Sequence, residues 1–152
     1  MNATAEIPRG YKPRAQSIEW STPDDVFVQL KVEFGPFDLD PCATAETAKA
    51  RLFYSIQDNG LMQEWHGLVF MNPPYGRGIG EWVRKAHDAS LEGATVVCLL
   101  PASTDSWWWH DHVLRAADIR FIRGRLKFKG AQHNAPFPSV IVVFRPAPGV
   151  AS

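Results

Sequence analysis

The chain is poor in the features that mark secreted, membrane-bound and metal-scaffolded proteins. Its 152 residues include only two cysteines, Cys42 and Cys98, and neither belongs to a CxxC pair. A disulfide scaffold or a zinc ribbon is therefore not expected. No apolar run approaches the roughly 20 residues of a membrane span. The N-terminal segment lacks the apolar centre of a signal peptide, so we expect a cytoplasmic protein without a membrane or metal partner.

The formal net charge is zero, which neither favours nor excludes a nucleic acid partner. Its distribution is uneven, because residues 115–129 hold six basic side chains and one acid, Asp118. This stretch predicts one face that meets a polyanion, but a solvated pair of strands has the same composition. With 45% apolar residues, the length predicts one domain over 19–145, flanked by flexible tails over 1–18 and 146–152.

Strand-like and helix-like patterns alternate along the chain. Thr22 and Pro23 predict the N-cap and the first residue of a helix. Two apolar runs, LVFM from Leu68 and ATVVCLL from Ala94, are typical of strands buried on both faces. Further predicted elements are strands over 37–40, 119–122 and 139–144, helices over 78–90 and from 104 or 105 to about 116, and an exposed loop over 124–130. This order predicts an α/β layered domain with a largely parallel sheet, which binds ligands beyond the carboxyl ends of its strands.

Asn72, Pro73, Pro74 and Tyr75 follow one of these apolar strands. The two prolines have a fixed φ and no N–H, so they hold the Asn72 amide and the Pro73 carbonyl in a stiff strand exit. Both oxygens can accept hydrogens from an exocyclic NH2 group, while the Tyr75 ring stacks on a planar heterocycle. These residue types predict a group-transfer reaction to an amino nitrogen. Its catalysis depends on orientation and electrostatics. The alternative from the residues alone is an ordinary turn.

Six short motifs, in order, resemble the phage-type DNA N6-adenine methyltransferase family. They are Trp20-Ser21-Thr22-Pro23, Phe37 to Ala43, Asp58-Asn59-Gly60-Leu61 with Trp65, Asn72 to Gly76, Leu100-Pro101-Ala102, and Gly124 to Phe128. The resemblance covers about residues 19–145. It implies a compact Rossmann-like class I methyltransferase fold, with helices on both faces of a mostly parallel sheet. It also implies S-adenosyl-L-methionine as the cofactor, DNA as the substrate, and the cytoplasm of a bacterial or phage-infected cell as the location.

The same resemblance implies roles for individual residues. Asn72, Pro73, Pro74 and Tyr75 are the expected catalytic residues. The expected cofactor-binding residues are Trp20, Thr22, Pro23, Asp40, Pro41, Cys42, Ala43, Asp58 and Leu61. Within this set, Asp40 is expected near a cationic group of the cofactor, and Asp58 at its adenine. Phe128 is expected to stack on the flipped target base opposite Tyr75, and the local charge assigns DNA phosphates to Arg123, Arg125, Lys127 and Lys129.

Other functions remain open at this stage. An NPPY-type site also suits RNA adenine, cytosine N4 or a protein glutamine amide, and a non-catalytic nucleic-acid-binding relic of the fold is a further alternative. Pro41-Cys42 resembles the nucleophile pair of cytosine-C5 methyltransferases, but a packed thiol is the favoured interpretation. Of the three consecutive tryptophans from Trp107, at least one is expected near the surface. No insertion is long enough for a separate recognition domain, so target recognition is expected from short loops or from a second copy of the chain.

Overall fold

The computed structural model describes residues 20–149. The predicted tail over 1–18, and residues 150–152 of the predicted C-terminal tail, lie outside the described residues. The elements are α1 (Asp24–Phe34), β1 (Leu39–Asp40), β2 (Leu52–Phe53), a 3-10 turn (Gly60–Met62), β3 (Leu68–Met71), α2 (Ile79–Leu91), β4 (Thr95–Pro101), α3 (Trp107–Asp111), a second 3-10 turn (Val113–Arg115), β5 (Asp118–Phe121) and β6 (Ser139–Phe144). Within residues 20–149, no helix is long and apolar enough to cross a membrane.

The first helix begins one residue later than predicted. Pro23 is its N-cap, and the Pro23 carbonyl accepts the Phe27 N–H at 3.1 Å. Two acids in the first turn stabilise the helix because their charge interacts favourably with the helix dipole. Gly35, with φ of +95°, ends the helix. The prediction that Thr22 caps this helix is wrong, because no side chain makes a cap hydrogen bond there. The Thr22 hydroxyl instead accepts a hydrogen bond from Asn72.

The six strands form one mixed sheet in the order β2-β1-β3-β4-β6-β5. Strands β1 to β4 pair in parallel, whereas β6 is antiparallel to both β4 and β5. The sheet therefore departs from the largely parallel one predicted. The reason lies in the segment between β5 and β6, which contains no helix and returns the chain directly to the neighbouring position.

Helices cover both faces of this sheet. On one face, Val96, Cys98 and Leu100 of β4 pack in a core that includes residues of α2 and α3. On the other face, Val97 and Leu99 pack in a core with Leu30 of α1, Phe70 and Phe128. Burial of both faces explains the continuous apolar runs of β3, β4 and β6 in the sequence.

Two elements differ further from the sequence prediction. The helix predicted to reach about residue 116 ends at Asp111 and is followed by a 3-10 turn, and Ser106 caps it in place of Thr104 or Asp105. Strand β2 falls in a segment whose pattern was ambiguous. As predicted for the tryptophans, one ring is near the surface: Trp107 is 51% exposed, whereas Trp108 and Trp109 are buried.

Candidate active site

The carboxyl ends of β1 and β3 bring Asp40 and Asn72 to one edge of the sheet. The two strands are parallel neighbours, with Leu39 paired to Val69, so Asp40 ends one strand beside the exit of the other. A cavity of 280 Å³ opens at this edge. Its lining comprises Trp20, Ser21, Thr22, Asp40, Cys42, Glu46, Thr47, Lys49, Phe70, Asn72, Pro73, Pro74, Lys129 and Gly130.

The cavity therefore gathers three of the motifs that the sequence singled out, together with Lys129 of the basic stretch. Several other predicted site residues lie outside its lining: Pro23, Pro41, Ala43, Asp58, Leu61, Tyr75, Arg123, Arg125, Lys127 and Phe128. Glu46, Thr47 and Lys49 line the cavity but were not predicted. The segment that carries them has no periodic pattern, and Lys49 uses its backbone N–H, so side-chain identity gave no signal.

The Asn72 side chain is held in one orientation. Its Nδ2 donates to the Trp20 carbonyl at 2.6 Å and to Thr22 Oγ1 at 3.1 Å. Its Oδ1 is buried and accepts no hydrogen bond from the described residues. A buried polar oxygen without a partner costs about 1–3 kcal/mol. The fixed amide thus keeps an unused acceptor at the strand exit, as a site for an amino-group donor requires.

Asp40 is a buried carboxyl group at the cavity wall, with 4% of its surface exposed. Its oxygens accept the backbone N–H of Cys42 at 3.3 Å and of Lys49 at 3.0 Å. Burial raises the pKa of Asp40 to about 6, although these two hydrogen bonds partly oppose the shift. A cationic ligand group in the cavity would stabilise the ionised form.

Cys42 lies between these two residues. Its Sγ donates to the backbone carbonyl of Asn72 at 3.3 Å. Burial, and then the nearby Asp40 carboxylate, raise the pKa of this thiol well above its usual value. A protonated thiol is a poor nucleophile, so the environment favours packing over nucleophilic catalysis.

Four aromatic rings pack together beside the motif Asn72 to Tyr75. Tyr75 donates its hydroxyl to the Leu99 carbonyl at 3.1 Å, and its ring lies 6.0 Å from that of Trp20 at an angle of 21°. Phe128 is 1% exposed and meets Tyr75 edge-on at 89°, with Phe137 completing the cluster. In this arrangement no slot for a base lies between Tyr75 and Phe128, so Phe128 supports the cluster from the core.

Asp58 lies on the loop that leads into the first 3-10 turn, which contains Leu61 and packs against Pro41 through Gly60. Asp58 is exposed, and its Oδ2 accepts the N–H of Ser55 at 2.8 Å and the Ser55 hydroxyl at 3.0 Å. The loop is anchored at Gly60, whose carbonyl accepts the Trp65 indole N–H at 2.8 Å. Gly60 packs so closely against Pro41 that a Cβ there would clash with the Pro41 carbonyl oxygen. The structure thus joins the Asp58 and Pro41 motifs at the same edge of the sheet.

Some basic side chains of residues 115–129 pair with acids of residues 20–149, and others do not. Arg120 hydrogen-bonds Glu33 and Asp118, which raise its pKa above the usual value, so it is committed to the protein. Arg123, Arg125 and Lys127 are exposed and make no ion pair with the described residues. The exposed Lys129 pairs with Asp24 at 3.3 Å at the cavity rim. The exposed cations give this loop a positive surface next to the cavity.

His110 on α3 and His112, which follows this helix, contact different groups. His110 contacts the Thr104 carbonyl at 2.8 Å, while His112 Nδ1 lies 2.8 Å from His87 Nδ1. Among residues 20–149, no group of three or more side chains is arranged to hold a metal ion.

Comparison with known proteins identifies the family. A profile of the DNA N-6-adenine-methyltransferase (Dam) family matches residues 11–149. A DNA N-6-adenine-methyltransferase of Escherichia phage T1 is 34% identical over 116 residues, which cover 75% of this chain and 48% of the relative. One of Haemophilus phage HP1 (strain HP1c1) is 31% identical over 137 residues, which cover 84% of this chain and 78% of the relative. The chain thus spans about half the length of the first relative and most of the second. It belongs to the DNA N-6-adenine-methyltransferase (Dam) family.

Proposed function

We propose that the chain transfers a methyl group from S-adenosyl-L-methionine to the N6 amino group of adenine in DNA. The observation that carries this proposal is the Asn72 amide, whose oxygen is buried without a partner while its nitrogen is held by two acceptors. Family membership supports the same reaction. The proposed fold is a compact Rossmann-like methyltransferase domain in which β6 is the reversed strand.

The residues of the cavity fit this cofactor. Its 280 Å³ approaches the roughly 300–1,000 Å³ of small-molecule sites. Asp40 offers a buried carboxylate to the ammonium or sulfonium group, and its pKa is raised because burial outweighs the opposing effects of its two backbone hydrogen bonds and the charge of Lys49. Trp20 and Cys42 of the lining would border the cofactor. We propose that the cofactor extends beyond the lining to Pro41 and Ala43, with its adenine at Asp58 and Leu61. When bound, S-adenosylmethionine supplies a methyl group on a positively charged sulfur, which is a good leaving group.

The chain's own contribution is to orient the target amino group. We assign one amino hydrogen to Asn72 Oδ1 and the other to the Pro73 carbonyl. Accepting both hydrogens favours a pyramidal nitrogen with its lone pair free for attack, and once methylated the nitrogen would lose one of these hydrogens as a proton to water. These contacts strengthen as the transition state forms, so they raise the rate more than the affinity. Because Asn72 Oδ1 is shielded, the side chains around it must move when the base arrives.

The exposed cations beside the cavity suit DNA. Base flipping costs a few kcal/mol, which stacking on the Trp20–Tyr75 pair can offset. Arg123, Arg125 and Lys127 are free to neutralise phosphates, with Lys129 at the rim. DNA in the cytoplasm of a bacterial or phage-infected cell is the proposed substrate. A second copy of the chain remains a predicted partner for target recognition.

The test is methyl transfer from labelled S-adenosylmethionine by the purified chain. Unmethylated DNA, RNA and protein are offered separately, and the DNA is digested to nucleosides and analysed by mass spectrometry. We expect label in DNA as N6-methyladenine. Label in 4-methylcytosine, in RNA or in glutamine would contradict the proposed substrate and would identify the labelled molecule as the substrate instead. If the folded protein binds the cofactor but transfers no methyl group, the remaining interpretation is a non-catalytic relic of the fold.

A further inference from the structure

We propose that Thr22 is a positioning residue for Asn72, in addition to its expected place beside the cofactor. In this proposal the segment Trp20–Thr22 acts as a strap that fixes the Asn72 amide with Oδ1 toward the reacting amino group. The inference rests on the proposed function for its catalytic meaning. The geometry of the amide, however, is independent of any substrate.

The orientation of the amide follows from its two partners. The Trp20 carbonyl, 2.6 Å away, can only accept, so the amide nitrogen must face it. Thr22 Oγ1 lies 3.1 Å from the same nitrogen and accepts the second hydrogen. Rotation of the amide by 180° would set its oxygen against the Trp20 carbonyl oxygen and break that hydrogen bond, whereas the Thr22 hydroxyl could still donate to the rotated amide. The Trp20 carbonyl therefore decides which way round the amide lies, and Thr22 adds the second contact that holds it in place. The strap therefore selects the state in which Asn72 Oδ1 is the free acceptor.

The strap is itself held firmly. Thr22 is 3% exposed, so its hydroxyl has little freedom. The Lys129 N–H donates to the Ser21 carbonyl at 2.9 Å, which joins the strap to the basic loop in a β-bridge. The Trp20 ring packs edge-on against Phe128 at 5.2 Å. These contacts on either side of Thr22 make the strap a rigid support for the amide.

A positioning role and a cofactor-binding role differ in what they change. If Thr22 acts through Asn72, removal of its hydroxyl lowers kcat, because the amide then samples orientations that do not accept the amino hydrogen. Affinity for S-adenosylmethionine and KM for DNA stay nearly constant. If Thr22 only binds the cofactor, the loss appears in cofactor affinity instead.

The test compares Thr22→Val, which keeps the shape and removes the hydroxyl, with Thr22→Ser, which keeps the hydroxyl. The loss of one hydrogen bond predicts a kcat reduced roughly 3- to 10-fold in Thr22→Val, and a near wild-type kcat in Thr22→Ser. In the Asn72→Ala background, Thr22→Val should cause no further loss of residual activity, because the two residues act as a unit. Thermal denaturation of each variant checks that the fold is retained.

The side-chain amide of Asn72 gives a readout that needs no catalysis. Its NMR resonances, identified by their loss in Asn72→Ala, should exchange slowly with water in the wild type and in Thr22→Ser. One proton should exchange faster in Thr22→Val. Should the wild type transfer no methyl group, the proposed function fails and these resonances alone decide the positioning role.

Three results of the activity and binding assays would overturn the inference. They are an unchanged kcat in Thr22→Val, a loss confined to cofactor affinity, and an equal loss in Thr22→Ser, which would indicate packing. Unchanged exchange of the Asn72 amide in Thr22→Val would overturn it as well.

Discussion

Replacement of Asp40 by asparagine should weaken cofactor binding and remove its dependence on pH. Burial raises the pKa of Asp40 from 3.8 to about 6, a difference that corresponds to about 3 kcal/mol against the ionised form. In the proposed complex, a cofactor cation facing the carboxylate would offset part of this cost. A hydrogen bond to a charged group is worth about 1.5–3 kcal/mol, so Asp40→Asn should raise the Kd at pH 8 by about 10- to 100-fold.

The sign of the pH dependence follows from the direction of the pKa shift. Binding needs the ionised carboxylate, so affinity falls as the pH falls through about 6. Between pH 8 and pH 5 the wild-type Kd should rise about tenfold, whereas Asp40→Asn should stay flat. Because the folded pKa lies above the unfolded one, ionised Asp40 also destabilises the cofactor-free protein above pH 6. That cost disappears as the pH falls toward 4.

Titration calorimetry with S-adenosylmethionine and S-adenosylhomocysteine at several pH values makes this measurement. Asp88→Asn is a matched control, because Asp88 is an exposed acid with only a 3.9 Å contact to Arg84. S-adenosylhomocysteine has a neutral thioether in place of the sulfonium. If its Kd does not depend on pH, Asp40 faces the sulfonium of S-adenosylmethionine. If its Kd keeps the pH dependence, Asp40 faces the ammonium group. A Kd unchanged by Asp40→Asn, or a wild-type Kd constant between pH 8 and pH 5, would refute the placement of the cofactor.

Three further predictions test neighbouring parts of the site. Asp58→Ala should weaken the binding of S-adenosylmethionine, measured by calorimetry, because a hydrogen bond worth about 1–3 kcal/mol of binding free energy is lost. Unchanged binding would place the adenine elsewhere. Gly60→Ala should lower the melting temperature and the cofactor affinity, because its Cβ would meet the Pro41 oxygen. Gly78→Ala, where nothing lies within 4 Å, should change neither, and equal behaviour of the two would contradict the packing argument. Arg125→Gln should lower the log–log salt slope of DNA binding by about 0.9, and an unaltered slope would move the DNA to another surface.

The sequence predicted the site best where the backbone itself is constrained. The apolar run before Asn72 and the two prolines after it predicted a buried strand with a stiff exit, and the structure has β3 there. The end of a strand at Asp40 was predicted from Pro41. Because parallel strands end at one edge, these two local predictions were enough to bring the two residues together.

Contacts between distant segments were not predictable in the same way. The hydrogen bond from Asn72 to Thr22 spans 50 residues, and the local pattern around Thr22 indicates a helix cap instead. Phe128 lies in the core because it packs against Trp20 and Phe137. The hydrophobic periodicity of the sequence does not indicate these contacts. The reversed strand β6 has the same apolar composition as a parallel one. Its direction depends on the absence of a helix in the preceding segment.

The most direct test of the central claim is the N6-methyladenine content of DNA from cells that express the wild-type chain or Asn72→Ala. Nucleoside mass spectrometry should find N6-methyladenine with the wild type and almost none with Asn72→Ala, at equal expression and with unchanged cofactor affinity. Asn72→Asp, which keeps an acceptor oxygen, should retain part of the activity. Equal N6-methyladenine content with wild type and Asn72→Ala would mean that the Asn72 oxygen does not accept the amino hydrogen, and it would contradict the account.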